Sequence, residues 1–458
     1  MNGGNIIMKE RSNFSSKIGF VLAAAGSAVG LGNLWRFPYL AAQYGGGTFL
    51  LVYVILALTF GFTLMIAEIA IGRKTGLSAI GAFKALDIRF NFLGILASIV
   101  PIIIFPYYSV IGGWVIKYLV TFAQGQANAA AQNDYFTGFV STATEPVVWF
   151  SIFLGITAIV VMFGVEKGVE NVSKFMMPVL VLLTIGIAAY TCTIDGAGEG
   201  IKYYLQPHMK DFSAKTILAA MGQLFYSMSL AMGIMVTYGS YMKKDNNLER
   251  SVHQIEIFDT GIAFFAGLMI IPAVFAFSNG DTSNLKAGPS LMFVTLPKVF
   301  DSMKAGNLIG FVFFLLVLFA ALTSSISLME TIVSILMDKF HLKRRTTCAG
   351  VAIGALILGI PSSLGFGVLS HISWRNMTIL DIMDFISNSI LMPIVAFFTC
   401  IFVGFVISPK VISDEIKTTN GRFKLEKMFT IIIKWVAPII LVLILVSSIL
   451  NALGIYTL

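Results

Sequence analysis

Two stretches of the chain combine small and polar residues in a way that suits ligand binding better than helix formation. Residues 22–36 read LAAAGSAVGLGNLWR and residues 223–233 read QLFYSMSLAMG. Glycine, serine and asparagine are poor helix formers, so a helix is expected to unwind at both places. Free carbonyl oxygens, with Ser and Asn side-chain oxygens, suit a hard alkali cation, whereas free N–H groups attract a carboxylate. Neither stretch contains histidine or cysteine, which disfavours zinc or copper.

Helix packing is the alternative explanation of the first stretch. Gly26 and Gly30 form a GxxxG pattern, which lets two membrane helices approach closely. Packing does not explain Gly32, Asn33 and Arg36 on the same segment. Unwound backbone in the apolar core of a membrane is penalised for every unsatisfied polar group, so it persists only where a ligand or water satisfies it.

Other polar side chains in apolar runs could complete such a site. Thr323, Ser324 and Ser325 are consecutive hydroxyl residues, and Tyr107 and Tyr108 follow a proline in another run. A single Ser or Thr in a membrane helix usually bonds to its own helix, and a tyrosine can cap a neighbouring carbonyl. Three hydroxyls in a row beside two broken helices favour a role in ligand binding.

The composition determines which elements can carry these residues. Of 458 residues, 57% are hydrophobic and 12% are charged, with a mean hydropathy of +0.87. A soluble domain carries roughly a quarter charged residues, so soluble, disordered and disulfide-rich classes are excluded. About eleven apolar runs are long enough to cross ~30 Å of hydrocarbon. Numbered as spans 1 to 11, they lie near residues 18–40, 46–71, 92–123, 147–165, 172–191, 216–240, 254–278, 308–337, 347–365, 379–407 and 428–456. We therefore predict an all-α polytopic membrane protein of the lipid bilayer.

The charges of the loops predict the orientation of these spans. With the N-terminus in the cytoplasm, Lys and Arg in inner segments outnumber those in outer loops by about three to one, as the positive-inside rule requires. The rule explains the net charge of +8 better than nucleic-acid binding does, so no nucleic-acid partner is predicted. An odd number of spans puts the C-terminus outside the inner (plasma) membrane. A signal peptide ending at Ala25 is the alternative for the first run, but that run continues to Leu40.

The two polar stretches lie in spans 1 and 6, which open two halves of five spans each. Interrupted segments at corresponding positions of two halves indicate the central site of a transporter. We predict a single transporter domain, residues 1–458, with a first repeat at about 15–191, an inverted second repeat at about 216–407 and an extra helix at about 428–456. Helices 1 and 6 are predicted to be discontinuous.

Charged residues near the ends of the spans suggest gates, because placing a charge inside the membrane costs free energy and such residues usually have a function. Arg36 of span 1 and Asp384 of span 10 could form a bidentate ion pair at the outer mouth, although each could instead snorkel to headgroups. Arg11 and Asp338 could form the matching inner pair, unless both are merely solvated. Tyr241 is assigned to the gates with them.

These residues resemble the signature of a known family. GSAVGLGNLWRFPY at 26–39, with GGG at 45–47, is similar to the first-span motif of neurotransmitter:sodium symporters. The resemblance continues through FPYY at 105–108, GQLFYSMSL at 222–230, LTSSIS at 322–327 and MDF at 383–385. The first motif is long and specific, and the predicted number of spans is similar to that of many bacterial members.

The resemblance implies a substrate site and two sodium ions. An amino-acid substrate would meet Ser27, Ala28, Leu31, Gly32, Ile104, Tyr108, Tyr226, Ser227, Ser229, Met232, Ser324 and Leu328. The first sodium ion would be held by Ala28, Asn33, Ser227 and Asp259 together with the substrate carboxylate. The second would be held by Gly26, Val29, Ala320, Thr323 and Ser324. A carboxylate that ligates sodium couples the two ligands, because each stabilises the binding of the other.

The chain departs from the family pattern at positions that bear on mechanism. Phe14 replaces the usual Trp of the inner motif, which questions how the inner gate packs. Asp259 stands where chloride-dependent relatives have Asn, and Ala263 replaces a serine that would help to bind chloride. We predict that the Asp259 carboxylate supplies the fixed negative charge and makes transport chloride-independent. Its protonation could instead couple to proton antiport.

A further motif lies at the inner end of span 5. Gly168 and Pro178 resemble the pair that lets this segment unwind in the family, and both residue types weaken a helix. Unwinding would let water reach the second sodium ion. A static kink without motion is the alternative.

The expected function is a sodium-coupled symporter, not an enzyme, that imports a hydrophobic or aromatic amino acid by alternating access. Ile104, Met232 and Leu328 favour an apolar substrate, since methionine repacks around bulky groups, and nearby serine hydroxyls could receive a polar tip. An amino-acid sensor or a channel on the same fold is the alternative. The sequence contains no repeated filter segment of the kind that a channel needs.

Overall fold

The computed structural model describes residues 13–278, 289–375 and 377–452, and most of these residues are helical. Nine helices in the described ranges are long and apolar enough to cross a membrane. They are Gly47–Thr75, Ile88–Ala123, Glu145–Met162, Val165–Thr191, Leu248–Ser278, Gly306–Phe340, Arg344–Leu364, Ile379–Val406 and Glu426–Ala452. These helices are spans 2 to 5 and 7 to 11, so the prediction of an all-α polytopic membrane protein is confirmed.

The two remaining predicted spans are broken. Span 1 consists of Lys17–Ala28 and Gly32–Gln43, which are bent by 53° relative to each other. Span 6 consists of Ala214–Ser227 and Ile234–Ser240, with residues 228–233 between them. The prediction that helices 1 and 6 are discontinuous is therefore confirmed. Following the predicted orientation, we call the face at which the chain enters span 1 the inner face, and Lys17–Ala28 and Ile234–Ser240 the inner helices.

Shorter helices lie in the connections between spans. They are Ala79–Leu86, Ala127–Ala130, Tyr135–Ser141, Ala197–Leu205, Leu296–Asp301 and Pro409–Asn420. Spans 3 and 8 pack along each other, and the inner helix of span 1 lies against spans 5, 7 and 8. The inner helix of span 1 is therefore enclosed by continuous helices, and residues 228–233 at the break in span 6 are also buried.

Two glycines bring span 2 and the inner helix of span 6 into close contact. A Cβ atom at Gly72 would lie 1.9 Å from the carbonyl oxygen of Val236. A Cβ atom at Gly239 would lie 2.2 Å from the carbonyl oxygen of Ile69. Because the backbones themselves touch, these two helices have no space for any larger residue at either position.

A buried arginine joins three segments at the inner face. The fully buried Arg73 side chain at the end of span 2 donates from Nε to Glu415 Oε1 at 2.9 Å and from Nη1 to the carbonyl of Asn246 at 2.8 Å. Lys244 Nζ lies 2.9 Å from the same Glu415 oxygen. The helix Pro409–Asn420 is thereby fastened to span 2 and to the loop between spans 6 and 7.

Substitution of Gly72 tests the contact between span 2 and span 6. We expect Gly72→Ala to destabilise the protein by about 1–3 kcal/mol or more, since overpacking forces backbone shifts. Gly186→Ala is the matched control, because no atom lies within 4 Å of a Cβ built at that helical position. Thermal unfolding in detergent micelles should show a lower midpoint for Gly72→Ala alone. Equal midpoints for both variants would contradict the contact.

Candidate functional site

The break in span 6 has an uncommon backbone conformation. Ser229 (φ 53°) and Ala231 (φ 61°) are left-handed, as is Gly233 (φ 72°). Residues other than glycine rarely adopt this conformation and keep it only where their surroundings hold them there. The N–H of Ala231 donates to Oε1 of the buried Glu68 at 2.7 Å. The Glu68 carboxylate thus satisfies a backbone donor that a continuous helix would have satisfied itself.

Side chains also form hydrogen bonds with backbone groups at the break in span 1. Oδ1 of Asn33 accepts a hydrogen bond from the N–H of Gly30 at 3.2 Å. Nε2 of the buried Gln223 donates to the carbonyl of Gly32 at 3.0 Å, which joins the two breaks directly. The backbone at mid-depth is held by polar side chains of spans 1, 2 and 6, and both breaks face the same space.

That space is a central cavity, and it contains every residue predicted for the substrate site. Its lining consists of Ser27, Ala28, Gly30, Leu31, Gly32, Ile104, Tyr108, Tyr226, Ser227, Ser229, Met232, Ile234, Ser324, Leu328 and Asn388. Gly30, Ile234 and Asn388 are the lining residues that the sequence did not suggest for this role. Serine hydroxyls and backbone groups give the cavity a polar wall, and Ile104, Met232 and Leu328 give it an apolar wall, which suits a molecule with one polar and one apolar end.

Serine hydroxyls make part of the polar wall. Ser27 Oγ donates to Ser229 Oγ at 3.1 Å, and Ser229 Oγ lies 2.8 Å from the carbonyl of Ser27. Ser324 Oγ, from span 8, lies 3.2 Å from the same carbonyl. The two breaks and span 8 are therefore linked through one carbonyl group, that of Ser27.

The first predicted sodium site forms one hydrogen-bonded cluster around Asp259. The buried Asp259 carboxylate accepts from Asn33 Nδ2 at 2.8 Å and from Tyr53 OH at 3.0 Å. Ser227 Oγ lies 3.5 Å from the same carboxylate and 2.9 Å from Tyr53 OH. Ala28 lines the adjoining cavity. The oxygens of Asp259, Tyr53 and Ser227 are the hard donors that a sodium ion prefers. Asn33 presents its amide nitrogen to Asp259 in this structure. Tyr53 is a member of the cluster that the sequence analysis did not identify.

The second predicted sodium site is a cluster of oxygens between spans 1 and 8. Ser324 Oγ lies 3.5 Å from the carbonyl oxygen of Gly26 and 3.4 Å from that of Val29. Thr323 Oγ1 lies 3.1 Å from the carbonyl oxygen of Ala320. The structure thus brings together all five residues predicted for this site. Across the described ranges, no cluster of three or more His, Cys, Asp or Glu residues offers a transition-metal site instead.

The outer gate residues lie together but do not form the predicted ion pair. Arg36 and Asp384 line one larger cavity above the central one, and within the described chain they make no ion pair with each other. Arg36 lies over the Tyr226 ring at 5.1 Å and donates to the Gly222 carbonyl at 3.4 Å. The Asp384 carboxylate accepts instead from Tyr107 OH at 3.0 Å. The ion pair is not formed in this structure, because both side chains face the outer cavity and each has another partner, and the role of the two residues as a gate stays a prediction.

The inner side is closed by aromatic rings. Phe14 is fully buried, and its ring packs edge-on against Phe20, Tyr238 and Tyr241 with centroids 5.6 to 6.1 Å apart. The N–H of Phe14 also donates to the carbonyl of Tyr241 at 3.1 Å. Phenylalanine therefore packs well at the position where the family pattern has tryptophan.

Two of the predicted inner gate residues lie in the described part of the chain, and the Arg11–Asp338 pair stays a prediction. Tyr241 OH donates to Glu330 Oε1 at 2.8 Å, and Glu330 forms a short ion pair with Arg344. Asp338 accepts from the N–H of Ser78 at 3.0 Å. Arg11, its predicted partner, lies outside the described residues. The sequence offered no signal for the buried Glu330–Arg344 pair, since Arg344 reads as one of several basic loop residues.

Comparisons with known proteins place these features in context. A profile described as the sodium:neurotransmitter symporter family matches residues 11–146 and 140–456. The chain is 36% identical to the uncharacterized sodium-dependent transporter YhdH of Bacillus subtilis, over 95% of this chain and 97% of that protein. It is 26% identical to the human sodium- and chloride-dependent GABA transporter 2, over 90% of this chain and 76% of that protein.

A solved structure is also similar along nearly the whole chain. The crystal structure of MhsT in complex with L-phenylalanine matches with a TM-score of 0.86 and 36% sequence identity. The match covers 96% of this chain and 100% of that chain. At this identity and coverage the similarity includes the sequence as well as the arrangement of helices.

Thiol labelling tests whether the outer cavity is the open one. Ser389 lines the outer cavity, whereas Ser327 is buried and bonded to Tyr238 on the inner side. In a background with Cys192, Cys348 and Cys400 replaced by serine, we expect Ser389→Cys to react with a membrane-impermeant reagent added outside right-side-out vesicles. Ser327→Cys should react at least about tenfold more slowly, since an enclosed side chain reacts only through rare opening. The reverse order would contradict both the orientation and the open outer cavity.

Proposed function

The chain belongs to the sodium:neurotransmitter symporter family of sodium-dependent membrane transporters, and on this premise we propose that it is a sodium-coupled symporter that imports a hydrophobic or aromatic amino acid. The observation that carries the proposal is the central cavity between the two helix breaks, which gathers every residue predicted for the substrate. The polar wall suits an ammonium and a carboxylate group, and Ile104, Met232 and Leu328 suit an apolar side chain. MhsT, a similar protein of known structure, holds L-phenylalanine.

Two sodium ions are proposed as the coupling ions. The Asp259 cluster adjoins the central cavity through Ala28 and Ser227, so an ion there could also contact the substrate carboxylate. Shared ligation makes sodium and substrate binding mutually favourable. The second ion would sit between the carbonyls of Gly26 and Val29 and the hydroxyls of span 8. Entry of each positive charge down a membrane potential releases about 2.3 kcal/mol per 100 mV, which supplies the driving force for accumulation.

The different closures of the two faces support alternating access as the mechanism of the proposed symporter. The outer cavity reaches down to Tyr226 and Asn388, which also line the central cavity. The inner face is closed by the packing of the Phe14 ring against neighbouring aromatic rings and by the Tyr241–Glu330 hydrogen bond. This arrangement fits substrate entry from outside, with the N-terminus in the cytoplasm and the C-terminus outside the plasma membrane. The division into repeats at about 15–191 and 216–407 remains part of the proposal.

Release would use the inner end of span 5. The segment Val165–Glu170 is a π-helix that follows left-handed Gly164 (φ 93°), and Pro178 lies inside the helix Asn171–Thr191. Wide π-turns and proline both weaken the local hydrogen bonding. Unwinding here would open a water path toward the Gly26 and Val29 carbonyls, which line the proposed second sodium site.

Transport in proteoliposomes tests the proposal. An inward sodium gradient should drive accumulation of L-phenylalanine above its external concentration, and collapse of the gradient should abolish it. A channel would only equilibrate the amino acid, and a sensor would bind it without flux, so either result would contradict symport.

Gly32→Ala should weaken phenylalanine binding at least about tenfold, because its Cβ would lie 2.4 Å from the Tyr226 ring. Gly186→Ala, which meets no atom within 4 Å, should bind normally.

Replacing chloride by gluconate tests the role of the Asp259 carboxylate. We propose that transport is chloride-independent, because this buried carboxylate supplies the negative charge beside the first sodium ion and the buried Ala263 offers no hydroxyl. The rate of sodium-dependent phenylalanine uptake should change by less than about twofold, since no chloride contributes to ion binding. A large loss of rate in gluconate would show that the carboxylate does not take the place of the anion.

A further inference from the structure

A buried glutamate outside the central site holds the start of span 1. Glu170 lies at the inner end of span 5 and is fully buried. Its Oε2 accepts from the N–H of Ser15 at 2.6 Å, and its Oε1 accepts from the hydroxyls of Ser15 at 2.6 Å and Ser16 at 2.9 Å. Lys174, one turn further along span 5, pairs with Oε1 at 2.6 Å. One carboxylate therefore binds three donors of the residues that precede the inner helix of span 1.

Gly19 leaves the space for this carboxylate. A Cβ atom at residue 19 would lie 1.9 Å from Glu170 Oε1 and 2.5 Å from Glu170 Cγ. The Glu170 side chain thus rests directly on the first turn of the inner helix, where any residue other than glycine would displace it. Ser16 also caps this helix, because its Oγ accepts from the N–H of Gly19 at 3.0 Å. The Ser16 cap and the Glu170 carboxylate are therefore hydrogen-bonded to each other at the first turn of the helix.

The opposite end of the same inner helix reaches the proposed second sodium site. Gly26 lies in the last turn of this helix, and Val29 is the residue directly after the helix ends. Twelve residues of continuous helix connect the two ends, so a rotation at Ser16 moves the Gly26 and Val29 carbonyls relative to Thr323 and Ser324. In the arrangement that Glu170 stabilises, Ser324 Oγ lies 3.5 Å from the Gly26 carbonyl oxygen and 3.4 Å from that of Val29.

We propose that Glu170 is a positioning residue that sets the sodium affinity of the transporter by fastening the inner helix of span 1 to span 5. The inference rests on the proposed function, since it assumes the second sodium site. Glu170 is also the last residue of the π-helical segment Val165–Glu170. If that segment unwinds, the carboxylate leaves Ser15 and Ser16 at the same time, and a single event frees the helix and opens the water path.

The expected effect is on sodium and not on the substrate site itself. When only a fraction of the protein has the arrangement that binds sodium, the apparent affinity falls by that fraction. Saturating sodium restores the arrangement by mass action. Loss of the Glu170 contacts should therefore raise the sodium concentration for half-maximal binding, while the affinity for substrate at saturating sodium stays the same.

Binding of L-phenylalanine to the purified full-length protein, titrated with sodium, tests the proposal. In Glu170→Gln the amide N–H group would face the Ser15 and Ser16 donors, and we expect the sodium concentration for half-maximal binding to rise about tenfold. The phenylalanine Kd at saturating sodium should stay within about twofold of the wild type. Gly19→Ala, whose methyl group displaces the carboxylate, should reproduce the shift if Glu170→Gln folds poorly. Lys174→Met is the control, because it keeps all three donors on Glu170 and removes the partly exposed ion pair together with a long 3.5 Å contact from Lys174 Nζ to Ser15 Oγ.

The outcomes separate the inference from the proposed function. If the wild-type protein shows no sodium-dependent binding of any amino acid, the proposed function fails. If the wild type binds and neither Glu170→Gln nor Gly19→Ala shifts the sodium requirement, the positioning role is overturned. It is also overturned if both variants lose phenylalanine affinity equally at all sodium concentrations, since that result indicates general damage. A shift in Lys174→Met as large as in Glu170→Gln would assign the effect to the ion pair instead.

Discussion

The structure depends on the requirement that every main-chain polar group inside the membrane have a partner. Lipid offers no hydrogen bonds, so a broken span is stable only if protein groups replace the lost helical ones. In span 6 the Glu68 carboxylate binds the N–H of Ala231, and in span 1 Asn33 binds the N–H of Gly30. Gln223 binds the carbonyl of Gly32 and so makes the two breaks depend on each other. Ser27 and Ser229, from the two breaks, and Ser324, from span 8, are bonded to one another and line the one central cavity between the breaks.

The sequence was most informative where one residue type has few structural roles. Glycine, serine and asparagine within an apolar run correctly marked both breaks. The apolar runs located every span, although spans 5 and 7 begin at Val165 and Leu248, seven and six residues before the predicted starts. The motif resemblance carried the predicted substrate residues, and the structure gathers them around one cavity. Composition and periodicity alone would not have linked Ile104 with Leu328, because both look like ordinary core residues until the helices are placed side by side.

Other features could not be predicted because they depend on tertiary packing. Tyr53 is one aromatic residue in an apolar helix, and nothing local shows that its hydroxyl reaches Asp259. Glu330 and Arg344 lie in different spans, and their pairing is visible only once those spans pack. The Arg36–Asp384 pair was chemically reasonable, but in this structure Arg36 bonds to the Gly222 carbonyl and Asp384 to Tyr107. Charge complementarity in a sequence therefore suggests possible partners without deciding among the other partners that packing supplies.

The glycine contacts between span 2 and the inner helix of span 6 have a mechanical consequence. Backbones that touch at both Gly72 and Gly239 cannot slide or roll past each other without a clash. Arg73, one residue after Gly72, carries the connection on to the helix Pro409–Asn420. Span 2, the inner helix of span 6 and this surface helix are thus joined by direct contacts, although Arg73 and Glu415 are 342 positions apart in sequence. A displacement of any one of the three would have to be accommodated by the other two.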